Sequence, residues 1–270
     1  MDIQIPQFKE EVIFISKLMK EAGEILLKNY ENPQGIETKA DGTLTTEVDK
    51  KVSRLIFSSL EKQFPEYGVL DEEYGGKNLE RRKIWVSDPL DGTAEYIRKT
   101  GDFGIIIGLL ENMQPVFGIT YKPQKDEFAY AAKSCGAYLF QSGRTTKLKV
   151  SNSDEIHVLI SRKRSSEELE KMLNSLKPSS VKFMGGSLKT VEVAKGNATL
   201  FLCPRTSPMS IWDICAPSVI LEEANGRITD IYGKNISYQD IKGNKNYDGV
   251  IATNGRIHEM VLERICSVIK

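Results

Sequence analysis

The chain has 270 residues, and its 37 Lys+Arg balance 37 Asp+Glu. That balance excludes bulk electrostatic attraction to a nucleic-acid polymer or an anionic membrane, so any anion must be gripped locally. Four scattered cysteines without a CxxC pair and only two histidines argue against the usual zinc sites. No stretch approaches the roughly 20 apolar residues of a membrane span, and the N-terminus lacks a basic stretch followed by an apolar run. The expectation is a soluble protein of a reducing compartment, most simply the cytoplasm.

From Phe8 to Leu27 apolar residues recur at three- and four-residue steps (Val12, Ile15, Leu18, Ala22, Ile25), the spacing of an amphipathic helix. Asn32-Pro33 and Gly35 end it. A second helix is expected from about Glu47 to Phe64, packed beside the first. Lys83–Ser87, Gly104–Leu110, Val116–Tyr121, Glu127–Ala132 and Ala137–Phe140 read as strands, with a hairpin loop at 112–114. Helices followed by a mostly antiparallel sheet predict an α+β first half. The polar stretch Ser151–Glu155 divides residues 1–150 from 151–270. Beyond it, strands at Val158–Ser161, Val181–Met184, Thr199–Leu202 and Gly249–Ala252 alternate with helices at Ser165–Leu176, Leu188–Ala194, Ile211–Ala224 and Ile257–Val268. This is a smaller α/β layer, and a cleft between the halves is the expected place for a site.

The most informative segment is Trp85-Val86-Ser87-Asp88-Pro89-Leu90-Asp91-Gly92-Thr93. Pro89 bends the chain so that Asp88, Asp91 and the Leu90 carbonyl can meet, and these hard oxygen donors suit Mg²⁺. Gly92 and Thr93 then open a helical turn whose free N–H groups suit a phosphate. Taken alone, the segment reads equally well as a tight Asp-Pro and Asp-Gly turn. Three further acidic segments bear on the choice: Asp71-Glu72-Glu73 after a short apolar run, Trp212-Asp213 at a helix start, and Glu47-Val48-Asp49 at another. Singly, each reads as a solvated cluster or a helix cap.

In this order, however, DPLDGT and the distant WDICA resemble the paired signature of the lithium-sensitive, Mg²⁺-dependent phosphatase superfamily that includes inositol monophosphatase. The resemblance spans nearly the whole chain. It implies a layered α-β-α-β-α sandwich and two or three Mg²⁺ ions held by Glu72, Asp88, the Leu90 carbonyl, Asp91 and Asp213. It also implies that Asp49 and Thr93 orient or deprotonate the attacking water, and that Li⁺ inhibits. Relatives usually have glycine where Asp71 stands.

Asp91-Gly92-Thr93-Ala94-Glu95-Tyr96-Ile97 and Gly186-Ser187-Leu188-Lys189 look like the CysQ-type bisphosphate nucleotidase form. The His-Gly-x-Pro common in inositol monophosphatases is absent here. The resemblance implies substrate contacts from Gly92, Thr93, Arg164, Ser187, Lys189, Arg205 and Asp213. Arg164 replaces an expected histidine and Gly186 an expected serine. The implied reaction removes the 3′-phosphate of adenosine 3′,5′-bisphosphate, a by-product of sulfate assimilation, with 3′-phosphoadenylyl sulfate as a further substrate. The competing reading is an inositol or sugar monophosphatase. A small phosphorylated molecule is therefore the expected partner, and a homodimer is one expected assembly.

Overall fold

The computed structural model describes residues 3–40, 42–162, 166–207, 209–241, 247 and 249–269. The two N-terminal periodicities become helices α1 (Lys9–Asn29) and α2 (Glu47–Gln63), which bury Val12, Ile15, Met19 and Leu26 on one and Val52, Ile56 and Leu60 on the other. A short ribbon, β1 (Glu37–Thr38) with β2 (Leu44–Thr45), connects them. Eight strands follow: β3 (Gly68–Asp71), β4 (Gly75–Lys77), β5 (Lys83–Asp91), β6 (Gly104–Glu111), β7 (Gln114–Lys122), β8 (Glu127–Ala132), β9 (Gly136–Gln141) and β10 (Arg144–Lys147). The short helix α3 (Thr93–Ile97) follows β5. They form one sheet in the order β10-β9-β8-β7-β6-β5-β3-β4, antiparallel except that β3 and β5 run parallel. The hairpin between β6 and β7 turns on Asn112 and Met113, at φ of 50° and 58°, the backbone that a two-residue turn of matching twist needs.

The second sheet contains β11 (His157–Ile160), β12 (Ser180–Phe183), β13 (Leu200–Cys203), β14 (Arg227–Thr229) and β15 (Val250–Thr253), ordered β12-β11-β13-β15-β14. Its helices are α4 (Glu167–Leu176), α5 (Lys189–Ala194), α6 (Ile211–Glu223) and α7 (His258–Cys266). Alternating side chains assign the layers. Trp85, Ile105, Ile107 and Phe117 face α1 and α2. Ile84, Val86 and Ile106 face the other way, into a core shared with Val191, Ile214, Ile220 and the second sheet's Phe201 and Ala252. Val158, Ile160 and Leu200 pack on the outer helices α4 and α7 through Met172 and Val261. The order is helices, sheet, helices, sheet, helices: the expected sandwich.

The middle layer is tight because Gly108 and Gly118 pair across β6 and β7. A Cβ on Gly118 would lie 2.5 Å from the Ala216 carbonyl, and one on Gly108 would lie 2.7 Å from the Cys215 sulfur. Their bare backbone lets α6 lie directly on the sheet. The ribbon and the strands β3, β4, β10 and β14 are additional to the strands expected from the sequence, since two to four residues leave no periodic trace. The helix expected from Ser165 begins at Glu167, because the Ser166 side chain caps it by accepting from Leu169 N.

Candidate active site

A regular strand would send Asp88 and Asp91 to opposite faces, three residues apart. The ladder between β5 and β6 slips here: Asp88 pairs with Ile106 and Asp91 with Gly104, so β5 carries one extra residue. Pro89, which has no N–H to give a ladder, sits in that bulge. The slip turns both acids to one side. Asp213 arrives from the second half as the third residue of α6, held by a capping box in which Ser210 N–H donates to Asp213 Oδ2 at 2.6 Å. Carboxylate oxygens of Asp88, Asp91 and Asp213 lie within 4.8 Å of one another.

Glu72 follows β3, its N–H donating to the Ser87 carbonyl at 3.1 Å. Lys39 from the ribbon donates to Glu72 Oε1 at 2.8 Å and also pairs with Glu73. Asp91 is cradled by Ser187, whose N–H reaches Oδ1 at 2.7 Å and whose hydroxyl donates to the same oxygen at 2.7 Å, and by Leu188 N–H at 3.2 Å. Gly186 makes room for that cradle at φ 66°, with its would-be Cβ 2.5 Å from Asp91 Oδ2.

So many acids in one largely buried place resist ionising together. Burial, then the charges of Glu72, Asp91 and Asp213, push the Asp88 carboxyl well above its usual range. Burial pushes Asp213 up to about 7, with Asp91 adding to it. Glu72 also rises to about 7, through burial, against the pull of Lys39. A buried cluster of oxygen donors short of positive charge is what a hard divalent cation neutralises. The donor set therefore fits Mg²⁺.

Asp49 is the third residue of α2, and Thr46 N–H donates to its Oδ2 at 2.9 Å. Its other oxygen accepts from Thr93 Oγ1 at 2.9 Å, and Thr93 Oγ1 also lies 3.1 Å from the Leu90 carbonyl. Burial raises Asp49 to about 6, although bonds from Thr46 and Thr93 pull the other way. Gly92 stands at φ 87° just before α3.

The cleft beside these acids is lined by Asp91, Glu95, Arg162, Ser187, Lys189 and Asp213, among others. Lys189 is 1 % exposed, its ammonium donating to the Met184 carbonyl at 3.3 Å and to the Gly186 carbonyl, over the Phe201 ring. Arg205 is not brought to this cleft. It borders a separate recess, where its backbone N–H donates to Glu168 Oε2 at 3.0 Å and its guanidinium binds Glu168 and the Tyr232 hydroxyl. Arg164 lies outside the described residues. Sequence reasoning missed Lys39, and it missed Arg162 as the partner of Glu95 (3.5 Å) and Asp102 (2.5 Å). No spacing signal marks either, because each pairing crosses long stretches of chain.

A five-layer sandwich with buried acids gathered at a bulge and a helix start defines a class of phosphatase folds. The chain belongs to the inositol monophosphatase family, whose family model matches residues 9–270, and it is a phosphatase of that superfamily. It is 30% identical over 229 residues to the 3′(2′),5′-bisphosphate nucleotidase CysQ of Escherichia coli (strain K12), covering 83% of this chain and 92% of that protein. It is 26% identical over 264 residues to the fructose-1,6-bisphosphatase/inositol-1-monophosphatase of Thermotoga maritima, covering 95% and 96%. Among solved structures, a Thermotoga maritima IMPase superposes with a TM-score of 0.82 at 25% identity over 96% of this chain and 98% of that one. The extragenic suppressor protein suhB of Bartonella henselae gives 0.82 at 25% over 96% and 100%. No helix among the described residues is long and apolar enough to cross a membrane.

Proposed function

We propose that this phosphatase removes the 3′-phosphate of adenosine 3′,5′-bisphosphate, yielding AMP and phosphate. The observation that carries the hydrolytic part is the largely buried Asp88–Asp91–Asp213 cluster, whose carboxylate oxygens converge and in which the Asp88 and Asp213 carboxyls are raised in pKa. Similarity to CysQ over most of the chain supports the nucleotide part. In this reading residues 1–150 supply Glu72, Asp88, the Leu90 carbonyl and Asp91 as ligands, and residues 151–270 add Asp213. Bound Mg²⁺ supplies Lewis acidity and a more acidic water.

The chain's own groups handle the proton. Asp49 Oδ1 holds the Thr93 hydroxyl hydrogen, which leaves a hydroxyl lone pair to orient the attacking water. With its pKa raised to about 6, Asp49 can take a proton through Thr93 near neutral pH. The Gly92 and Ser187 backbones and the Lys189 ammonium border the phosphate. Burial lowers the Lys189 pKa, and the nearby charges of Asp91 and Asp213 work against that by favouring the ammonium.

A second reading, a single-phosphate polyol as substrate, draws on one observation. Lys189 and Arg162, the cations that border the cleft among the described residues, already have partners within the protein. A second phosphate would have to compete for them. Phosphate release from adenosine 3′,5′-bisphosphate and from inositol 1-phosphate, measured side by side with Mg²⁺, separates the two. The nucleotide is expected to turn over faster, with Li⁺ inhibiting. Faster inositol 1-phosphate turnover would overturn the nucleotidase reading and leave the phosphatase in place.

A further inference from the structure

We propose that Asp71 is a positioning residue that fixes three arms of the active site against one another, an inference that rests on the metal-binding reading above. Asp71 ends β3 and is 1 % exposed. Its carboxylate is not a member of the Asp88–Asp91–Asp213 cluster. It accepts four hydrogen bonds instead: from Ser53 Oγ, from Ser87 Oγ at 2.7 Å, and from the N–H groups of Glu73 and Tyr74 at 3.0 Å each.

The origin of those donors is the argument. Ser53 lies one helical turn after Asp49 on α2 and is itself 1 % exposed. Residues four apart share a helix face. Ser87 sits directly across from Asp71 in the parallel β3–β5 register and immediately precedes Asp88. The Glu73 and Tyr74 amides belong to the turn that presents Glu72. One buried carboxylate thus ties together the segments bearing Asp49, Glu72 and Asp88, through donors other than those three side chains. A glycine could make none of these four bonds through a side chain. Hydrogen bonds to a buried carboxylate are short, directional and strong, and outer partners of this kind set the orientation of metal ligands.

The test uses Asp71→Asn, Ser53→Ala, the double variant and Glu72→Gln in the full chain. Mg²⁺ affinity is read by calorimetry, and the Mg²⁺-induced rise in melting temperature is compared with the metal-free melt. Asp71→Asn is expected to weaken Mg²⁺ binding 10- to 100-fold, with kcat recovering at saturating Mg²⁺. Ser53→Ala should weaken it less, and should add little on top of Asp71→Asn because the two share one interaction. A folded Asp71→Asn that binds Mg²⁺ as the parent does would overturn the proposal. If Asp71→Asn fails to fold, unchanged Mg²⁺ affinity in Ser53→Ala overturns it equally. Weakened binding in Asp71→Asn with none in Glu72→Gln would sink the Glu72 ligand assignment and keep the positioning role.

Discussion

Helix α5 carries the lysine at the cleft and starts where Asp91 is cradled, so what anchors it matters. Its anchor is a half-hidden charge network. Glu192 Oε1 accepts from Lys122 Nζ at 2.6 Å and from Lys195 Nζ at 3.1 Å, and Lys195 also reaches Glu127 at 2.9 Å. These side chains are only 6–14% exposed. Burial alone would raise the Glu192 carboxyl, but Lys122 and Lys195 outweigh it and hold it down at about 2, against 4.5 for a free glutamate. That difference corresponds to about 3 kcal/mol of stability at neutral pH. The range of about 3–5 kcal/mol for breaking a buried pair agrees.

Glu192→Gln keeps the shape and removes the charge, leaving Lys122 against a neutral amide. Urea unfolding at pH 7 should show a loss of about 3 kcal/mol, and the melting temperature should fall by about 6 °C for a chain of this size. The pH dependence checks the cause. Glu192 has a lower pKa folded than unfolded, so its stabilisation is complete above the unfolded value. It disappears as pH falls from about 4.5 toward 2. Parent and variant should therefore converge in acid. A loss under about 1 kcal/mol at pH 7, or a difference that persists unchanged to pH 2.5, would refute the reasoning.

Two further outcomes follow from single positions. Gly186→Ala meets a left-handed backbone penalty of about 1–2 kcal/mol and puts a Cβ 2.5 Å from Asp91 Oδ2. Mg²⁺-dependent phosphate release should drop at least roughly tenfold, and full activity at the parent's Mg²⁺ requirement would show that Asp91 does not need this gap. His258 is fully buried between the Thr229 and Thr253 hydroxyls, at 3.0 Å each, and burial lowers it from 6.5 to about 4. Its unfolded form binds a proton first, so about 3 kcal/mol of stability should be lost as pH falls from 6.5 to 4. Urea midpoints of His258→Gln should lose that segment of the acid dependence, and an unaltered profile would rule the histidine out as its source.

Legibility in the sequence tracked the range of the interaction. Helices α1 and α2 and the strands β5 to β8 were readable because each carries its own apolar period, and DPLDGT and WDICA were readable because each is a contiguous segment. The bulge that turns Asp88 and Asp91 to one side was half legible, since Pro89 forbids a regular ladder but does not say which register replaces it. Lys39 with Glu72, and Arg162 with Asp102, join polar residues 33 and 60 positions apart, and nothing local announces such pairs. The resemblance implies that Arg205 contacts substrate, whereas its own neighbours in sequence do not distinguish it from a surface charge. Its position is decided by Glu168 on α4, which brings a carboxylate up to its backbone and guanidinium alike. Asp71 read as an extra acid beside the site, and only the fold reveals that its four donors come from three different elements.

Asp49 and Asp213 illustrate why the bland reading and the chemical one are not alternatives. Each stands three residues after a hydroxyl residue, Thr46 or Ser210, and each forms a capping box with it. The box needs only one carboxylate oxygen, Oδ2 in both residues. At Asp49 the other oxygen is taken by Thr93, and Asp213 joins Asp88 and Asp91. A cap fixes the side chain's rotation by bonding one oxygen to its own helix, so the other oxygen is aimed into the site. The same local pattern that begins a helix therefore delivers a rigid acid to a site built from two sheets. An Asp at such a position can be read as a cap and as a catalytic or metal-binding acid at once.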